Sequence, residues 1–191
     1  MEFKDVVLSR KSVRKYKSTP VPTGVLEQIM ELGVTAPSAT NLQHWYFVVI
    51  SSPEKRAEMA AIMKNSADIL LPALNKRFPN HPEVVKETHS FTEELGGAPV
   101  CILAFLQKDY ENMNDATQSV AAAMENIVLA ARDKGLDTCW LTAPIDVEKD
   151  KELEAHFAPR KGKFLAMLTL GYSDQPNARS PKRREGRYVI I

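Results

Sequence analysis

Pro99-Val-Cys-Ile-Leu-Ala-Phe-Leu106 is the longest apolar stretch of the chain, and its reading decides the architecture. Apolar residues without alternation predict a strand buried on both faces. The stretch is far shorter than the roughly 18–20 residues that a membrane span needs. A strand covered on both faces requires a layer of structure on each side. Working outward, Trp45 to Ser51 (WYFVVIS) is rich in β-branched and aromatic residues and closes at Pro53, which predicts a strand. Thr138 to Leu141 predicts another, stopped by Pro144, and Phe164 to Gly171 (FLAMLTLG) the last core strand. RYVII at 187–191 reads as an edge strand. Helical spacing predicts helices over 2–10, over a segment carrying Val25, Leu26, Ile29 and Met30 up to Gly33, and over 53–64, 115–134 and 147–157. Gly135 stops the long one, and Asp146 is placed to cap the last. Residues 65–95 are polar and interrupted by Pro72, Pro79 and Pro82, and read as an insertion or lid with helical patches. The first two strands lack the tight βα turns of a doubly wound sheet, so the fold expected is an α+β sandwich.

Length and composition fit one globular domain. The 191 residues fall within the usual range for a single domain, and 44% apolar with 26% charged residues argues against wholesale disorder. The N-terminal segment lacks the apolar core of a secretory signal, so a cytoplasmic, membrane-free protein is expected. Cys101 and Cys139 stand apart in apolar segments and read as free buried thiols. The four histidines show no metal-binding spacing, so no metal is expected. Near-neutrality speaks against a generic nucleic-acid binder.

The net charge of +1 nevertheless conceals two poles. Residues 9–17 carry Arg10, Lys11, Arg14, Lys15 and Lys17 with no acid, and residues 179–187 carry five basic residues against Glu185. The two segments are either solvated runs or ligands of one anion. Several chemistries are excluded cheaply. The eight glycines form no G-x-G, so neither a dinucleotide fingerprint nor a P-loop is present, and no G-x-S-x-G elbow exists. Ser12 to Lys15 matches S-x-x-K, but its companion motifs are missing.

Two constellations remain. In Arg10-Lys-Ser-Val-Arg14, an extended backbone would turn Arg10, Ser12 and Arg14 the same way, forming an oxyanion receptor. Lys182-Arg-Arg184 can add cations to the same anion. Ala36-Pro-Ser-Ala-Thr-Asn-Leu-Gln-His-Trp45 places Ser38, Asn41 and Gln43 in one short loop, as donors suited to a cofactor or as an ordinary Asx-rich turn.

At these two places the sequence resembles the nitroreductase family of flavin-dependent oxidoreductases, through RKSVRKY at 10–16 and APSATNLQHW at 36–45. GGAPVCILAF at 96–105, GLDTCWLTAPI at 135–145 and FLAMLTLGYS followed by the basic tail extend the resemblance over the whole chain. His44 stands where the family commonly has proline. The resemblance implies a three-layer α/β/α sandwich around a mostly antiparallel sheet of four to five strands, with the C-terminal strand exchanged in a homodimer. It implies a single flavin-binding domain over 1–191, with 176–191 as a basic extension. It also implies non-covalent FMN in sites shared between subunits. Arg10, Lys11, Ser12, Lys182 and Arg184 would serve its phosphate end, and Arg14 the N1/C2 edge of the ring as the catalytic cation. Pro37, Ser38 and Asn41 would come from the other subunit with Gln43 close to the flavin-binding loop, and Thr142, Ala143, Pro144 and Ile145 would run beside the ring. NAD(P)H would be the co-substrate and a small oxidised molecule the acceptor, in ping-pong order. Enone or flavin reduction, reductive dehalogenation, or non-enzymatic binding of an anion or RNA are the alternatives.

Overall fold

The computed structural model describes residues 1–107, 111–175 and 182–191. Its centre is the predicted apolar strand, β2 (Val100–Leu106), every residue of which is buried. β2 lies between β1 (Trp45–Ile50) and β4 (Lys163–Gly171), and β3 (Asp137–Leu141) completes the order β1-β2-β4-β3, antiparallel throughout. Alternation along β2 divides the core in two. Val100, Ile102, Ala104 and Leu106 face one layer, while Cys101, Leu103 and Phe105 face the other.

The first layer is α2 (Thr23–Gly33) and α6 (Met113–Asp133). Ala116, Ala123 and Ala131 of α6 are fully buried, so small side chains let this helix lie close against the sheet. Gly135 ends it as predicted: at φ 75° its N–H reaches the Arg132 carbonyl, and the Leu136 N–H reaches that of Ala131. The second layer is α3 (Pro53–Met63), α5 (Pro82–Glu94) and α8 (Asp150–Phe157), with Met59, Phe91 and Leu153 inward. The α+β sandwich with a four-stranded antiparallel sheet is thus the observed fold. No helix of the described residues is long and apolar enough to cross a membrane.

Three local expectations differ from what is seen. Residues 65–95 form a helical hairpin, α4 (Ser66–Arg77) and α5, joined across its faces by His89 Nε2 and Asp68 Oδ1 at 2.9 Å. Pro72 sits inside α4 without ending it. The carbonyl it deprives of a partner belongs to exposed Asp68, where water can replace the lost bond. Asp146 does not cap the helix after β3; it closes a one-turn helix, α7 (Ala143–Asp146), in which Pro144 lies. The Val147 and Lys149 N–H groups close that turn onto Ala143 and Pro144, so α8 starts only at Asp150. The N-terminal helix is present as expected, as α1 (Phe3–Ser9), which buries Val6 alone and leaves Phe3, Val7 and Leu8 exposed. RYVII has no regular structure in the single chain, and Ile190 is 88% exposed.

Phe105 is the side chain on which the second layer closes, edge-on to Phe164 with ring centroids 5.8 Å apart. Phe105→Ala is expected to cost about 3–5 kcal/mol, through lost burial and the cavity left behind. Urea unfolding of the two proteins measures it.

Candidate functional site

Residues 10–17 leave α1 as an extended strap laid across the ends of β3 and β4. The Val13 N–H donates to the Thr138 carbonyl at 3.0 Å, the Lys17 N–H to that of Tyr172 at 2.9 Å, and the Asp174 N–H to that of Lys15 at 2.9 Å. Val13 and Tyr16 turn inward and are buried. The Tyr16 hydroxyl donates to the Val13 carbonyl at 2.6 Å and accepts from Thr169 Oγ1 at 2.8 Å. Burial raises the Tyr16 pKa well above its ordinary value of 10.0. With Val13 held in, the two-residue period of extended chain puts Ser12 and Arg14 out, as the sequence predicts.

Gly96 seats the strap from below. Its carbonyl accepts the Tyr16 N–H at 2.9 Å, its φ is 64°, and a Cβ there would overlap the Arg14 carbonyl. The Arg14 guanidinium lies 6.0 Å from the centroid of the Phe91 ring, and the Arg14 N–H donates to Gln175 Oε1 at 2.9 Å. Beside Arg14 opens a cavity of about 360 Å³, lined also by Glu87, Ser90, Glu94 and Gly97.

The donors on the strap are unspent. Among the described residues neither the Arg10 nor the Arg14 guanidinium has an ion-pair partner, and the Ser12 hydroxyl makes no hydrogen bond. Burial raises the pKa of the Cys139 thiol of β3, and the positive charges of Arg14 and Arg10 oppose the rise. Lys11 lies on the Asp137 side, where burial raises the carboxyl pKa against the pull of Arg132 and Lys11. Two unpaired guanidiniums and a free hydroxyl fit an oxyanion such as a phosphate monoester. Thr142 and the first turn of α7, with Ala143 and Ile145 reaching solvent and Pro144 buried, follow Cys139 by about 10 Å along the strand direction.

The second constellation lies elsewhere. The 36–44 loop holds Thr40, Asn41 and Gln43 at positive φ, fixed by the Gln43 N–H on Ser38 Oγ at 3.0 Å and by Gln43 Nε2 on Asn41 Oδ1 at 3.2 Å. The Ala39 N–H donates to Ser119 Oγ of α6 at 3.1 Å. Arg132, also of α6, donates from Nε to Ser9 Oγ at 3.0 Å, just before the strap. Thirteen residues of helix separate these anchors, about 20 Å. The loop leads into β1 and the strap crosses β3, the two opposite edges of the sheet. Pro37 and Ser38 instead line a separate open hollow with Asp115 and Gln118. One chain therefore keeps the two motifs apart. Lys182 and Arg184 are exposed, and no hydrogen bond or ion pair joins them to the strap among the described residues. Residues 176–181 of the basic extension lie outside the described residues.

Sequence reading missed Gly96, Gln175 and Phe91 as parts of this site. The Gly96-Gly97 pair was the available signal, since consecutive glycines before a buried strand mark a close backbone approach. Gln175 gave none.

The family model described as "Nitroreductase family" matches residues 7–172, from within α1 to the end of β4, and the chain belongs to that family. The Bacillus subtilis (strain 168) protein YfhC, which bears an NAD(P)H nitroreductase name, is 27% identical over 181 residues, covering 91% of this chain and 85% of that protein. Iodotyrosine deiodinase 1 of Rattus norvegicus is also 27% identical over 181 residues, covering 90% of this chain and 62% of that protein. Among solved structures, a nitroreductase with bound FMN from Bacteroides fragilis NCTC 9343 superposes with a TM-score of 0.73 at 24% identity, covering 100% of this chain and 99% of that one.

Tyr16→Phe tests the strap's anchor. Loss of the hydroxyl leaves the Val13 carbonyl and Thr169 without this partner and should cost about 1–2 kcal/mol at neutral pH. The raised folded pKa also means that the unfolded chain loses its proton first, from about pH 10 upward. Stability of the native protein should therefore fall more steeply above that pH than stability of the variant, as denaturant titrations at pH 8 to 11 would show.

Proposed function

We propose that the chain is an FMN-dependent oxidoreductase that draws on NAD(P)H and reduces a small oxidised acceptor, with sites completed across a homodimer. The observation that carries this reading is that the side chains of Arg10, Ser12 and Arg14, on a strap pinned to β3, have no ion-pair or hydrogen-bond partner among the described residues. Family membership gives the flavin class, and the FMN bound by the Bacteroides fragilis relative supports the choice of cofactor. The NAD(P)H in the name of YfhC supports the reductant.

Bound FMN would supply two-electron redox chemistry between NAD(P)H and the acceptor, in two half-reactions. The protein's part is position and charge. Arg10 and Ser12, with Lys11 beside them, would hold the phosphate, joined by Lys182 and Arg184 of the tail. Arg14, directed by Phe91 and by the main-chain bond to Gln175, would face the pyrimidine edge of the ring and favour its reduced, negatively charged form. Thr142 to Ile145 would border the ring. Pro37, Ser38, Asn41 and Gln43 would come from a second copy, because in their own chain they stand at the far end of α6. The exposed apolar residues of α1 and of RYVII suit burial in such a dimer, the latter as an exchanged strand.

A second reading, reductive dehalogenation on the same flavin, is favoured by the identity to rat iodotyrosine deiodinase, which equals that to YfhC. A panel of nitroaromatic, quinone, enone and iodophenol acceptors separates the two.

The purified protein should be yellow or take up FMN, and Arg14→Ala should lose more reductase turnover than its flavin occupancy explains. Equal losses would remove the catalytic role of Arg14. A colourless protein that neither binds FMN nor oxidises NAD(P)H would overturn the enzyme reading in favour of an anion-binding protein, whose affinity would fall steeply with salt.

A further inference from the structure

One face of α5 forms a wall of the cavity beside Arg14. Glu87, Ser90, Phe91 and Glu94 follow one another at helical spacing along it. The cavity's charges are unevenly committed. Lys15 Nζ lies 3.5 Å from Asp174 Oδ2, and Arg14 is taken by the flavin in the reading above. The two glutamates have no ion-pair partner among the described residues. Glu87 is nevertheless held in place: Gln175 Nε2 donates to its Oε1 at 3.3 Å, while Oε1 of the same glutamine accepts the Arg14 N–H. Gln175 thus ties the α5 wall to the strap.

Resting on the flavin reading, we infer that this cavity is the acceptor pocket and that it selects aromatic acceptors bearing a cationic group, with Glu87 and Glu94 as the specificity-determining residues and Gln175 positioning the first. Phe91 supplies an apolar surface for the aromatic body. Glu87 and Glu94 stand about 10 Å apart along the helix, so a cation between them is within reach of both side chains. An anionic acceptor would meet two carboxylates in a cleft where low-dielectric walls focus the field. Both glutamates are exposed, which limits the effect of each to about fivefold.

The test uses the FMN-loaded protein and three acceptors of one shape: 4-nitrobenzyltrimethylammonium, 4-nitrobenzyl alcohol and 4-nitrobenzoate. The expected order of kcat/KM follows that sequence, with the cation ahead of the anion by about tenfold or more. Glu87→Gln and Glu94→Gln should each lower the cation-to-anion ratio about fivefold, chiefly through KM for the cation. Glu93→Gln, on the same helix but outside the cavity lining, should keep the wild-type ratio. Calorimetric titration with benzyltrimethylammonium and benzoate gives a readout without turnover: the first should bind and the second should not, and Glu87→Gln should weaken the first. Equal efficiency with all three acceptors, or a ratio unmoved by both glutamine variants, overturns the charge preference and leaves the flavin reading intact. Reduction of none of them, by a protein that takes up no FMN, overturns both.

Discussion

The site depends on a backbone constraint, the bond from the Val13 N–H to the Thr138 carbonyl, backed by the buried Tyr16. Once Val13 is turned into the core, extended geometry turns its two neighbours, Ser12 and Arg14, outward. Holding cations beside one another without counter-charges works against stability, and the strap offsets this with hydrogen bonds to two strands and two buried side chains. Gly96 belongs to the same arrangement, since any side chain there would displace the Arg14 carbonyl.

The long helix α6 sets the second constraint. Arg132 near its C-terminal end holds Ser9 before the strap, and Ser119 in its N-terminal third holds Ala39 of the 36–44 loop. The helix keeps these two anchors about 20 Å apart in any one chain. Two copies related by symmetry can bring the loop of one against the strap of the other, which is why the proposed site needs both. The charge pattern acquires a local meaning in the same way. The near-neutral total is an acidic body with two basic segments, and in the first of them Arg10 and Arg14 have no ion-pair partner among the described residues. The second remains tied to it only by the proposal.

Much of this was legible in the sequence, for physical reasons that differ by element. β2 was legible because burial on both faces removes every polar residue, and α6 because its small residues and Gly135 mark its packing and its end. The outward placement of Ser12 and Arg14 followed from period two about Val13. The helical hairpin over 66–94 was obscured by Pro72, whose cost is small where the deprived carbonyl is solvated. The role given to Asp146 failed because the turn after β3 closes on itself first. Gln175 and Phe91 join the site through contacts distant in sequence, with Gln175 reaching across 161 positions to Arg14, and no local pattern announces such contacts.

The claim that most needs testing is that each site draws on two chains, and subunit mixing tests it directly. An Arg10→Ala/Arg14→Ala protein and a Ser38→Ala/Asn41→Ala protein should each bind FMN poorly and turn over slowly. Unfolded and refolded together in equal amounts, they should recover about one quarter of the wild-type flavin sites and turnover, because half of the dimers are mixed and each mixed dimer has one intact site. Recovery of nothing above the sum of the separate variants would contradict the shared site and place the strap and loop in independent roles.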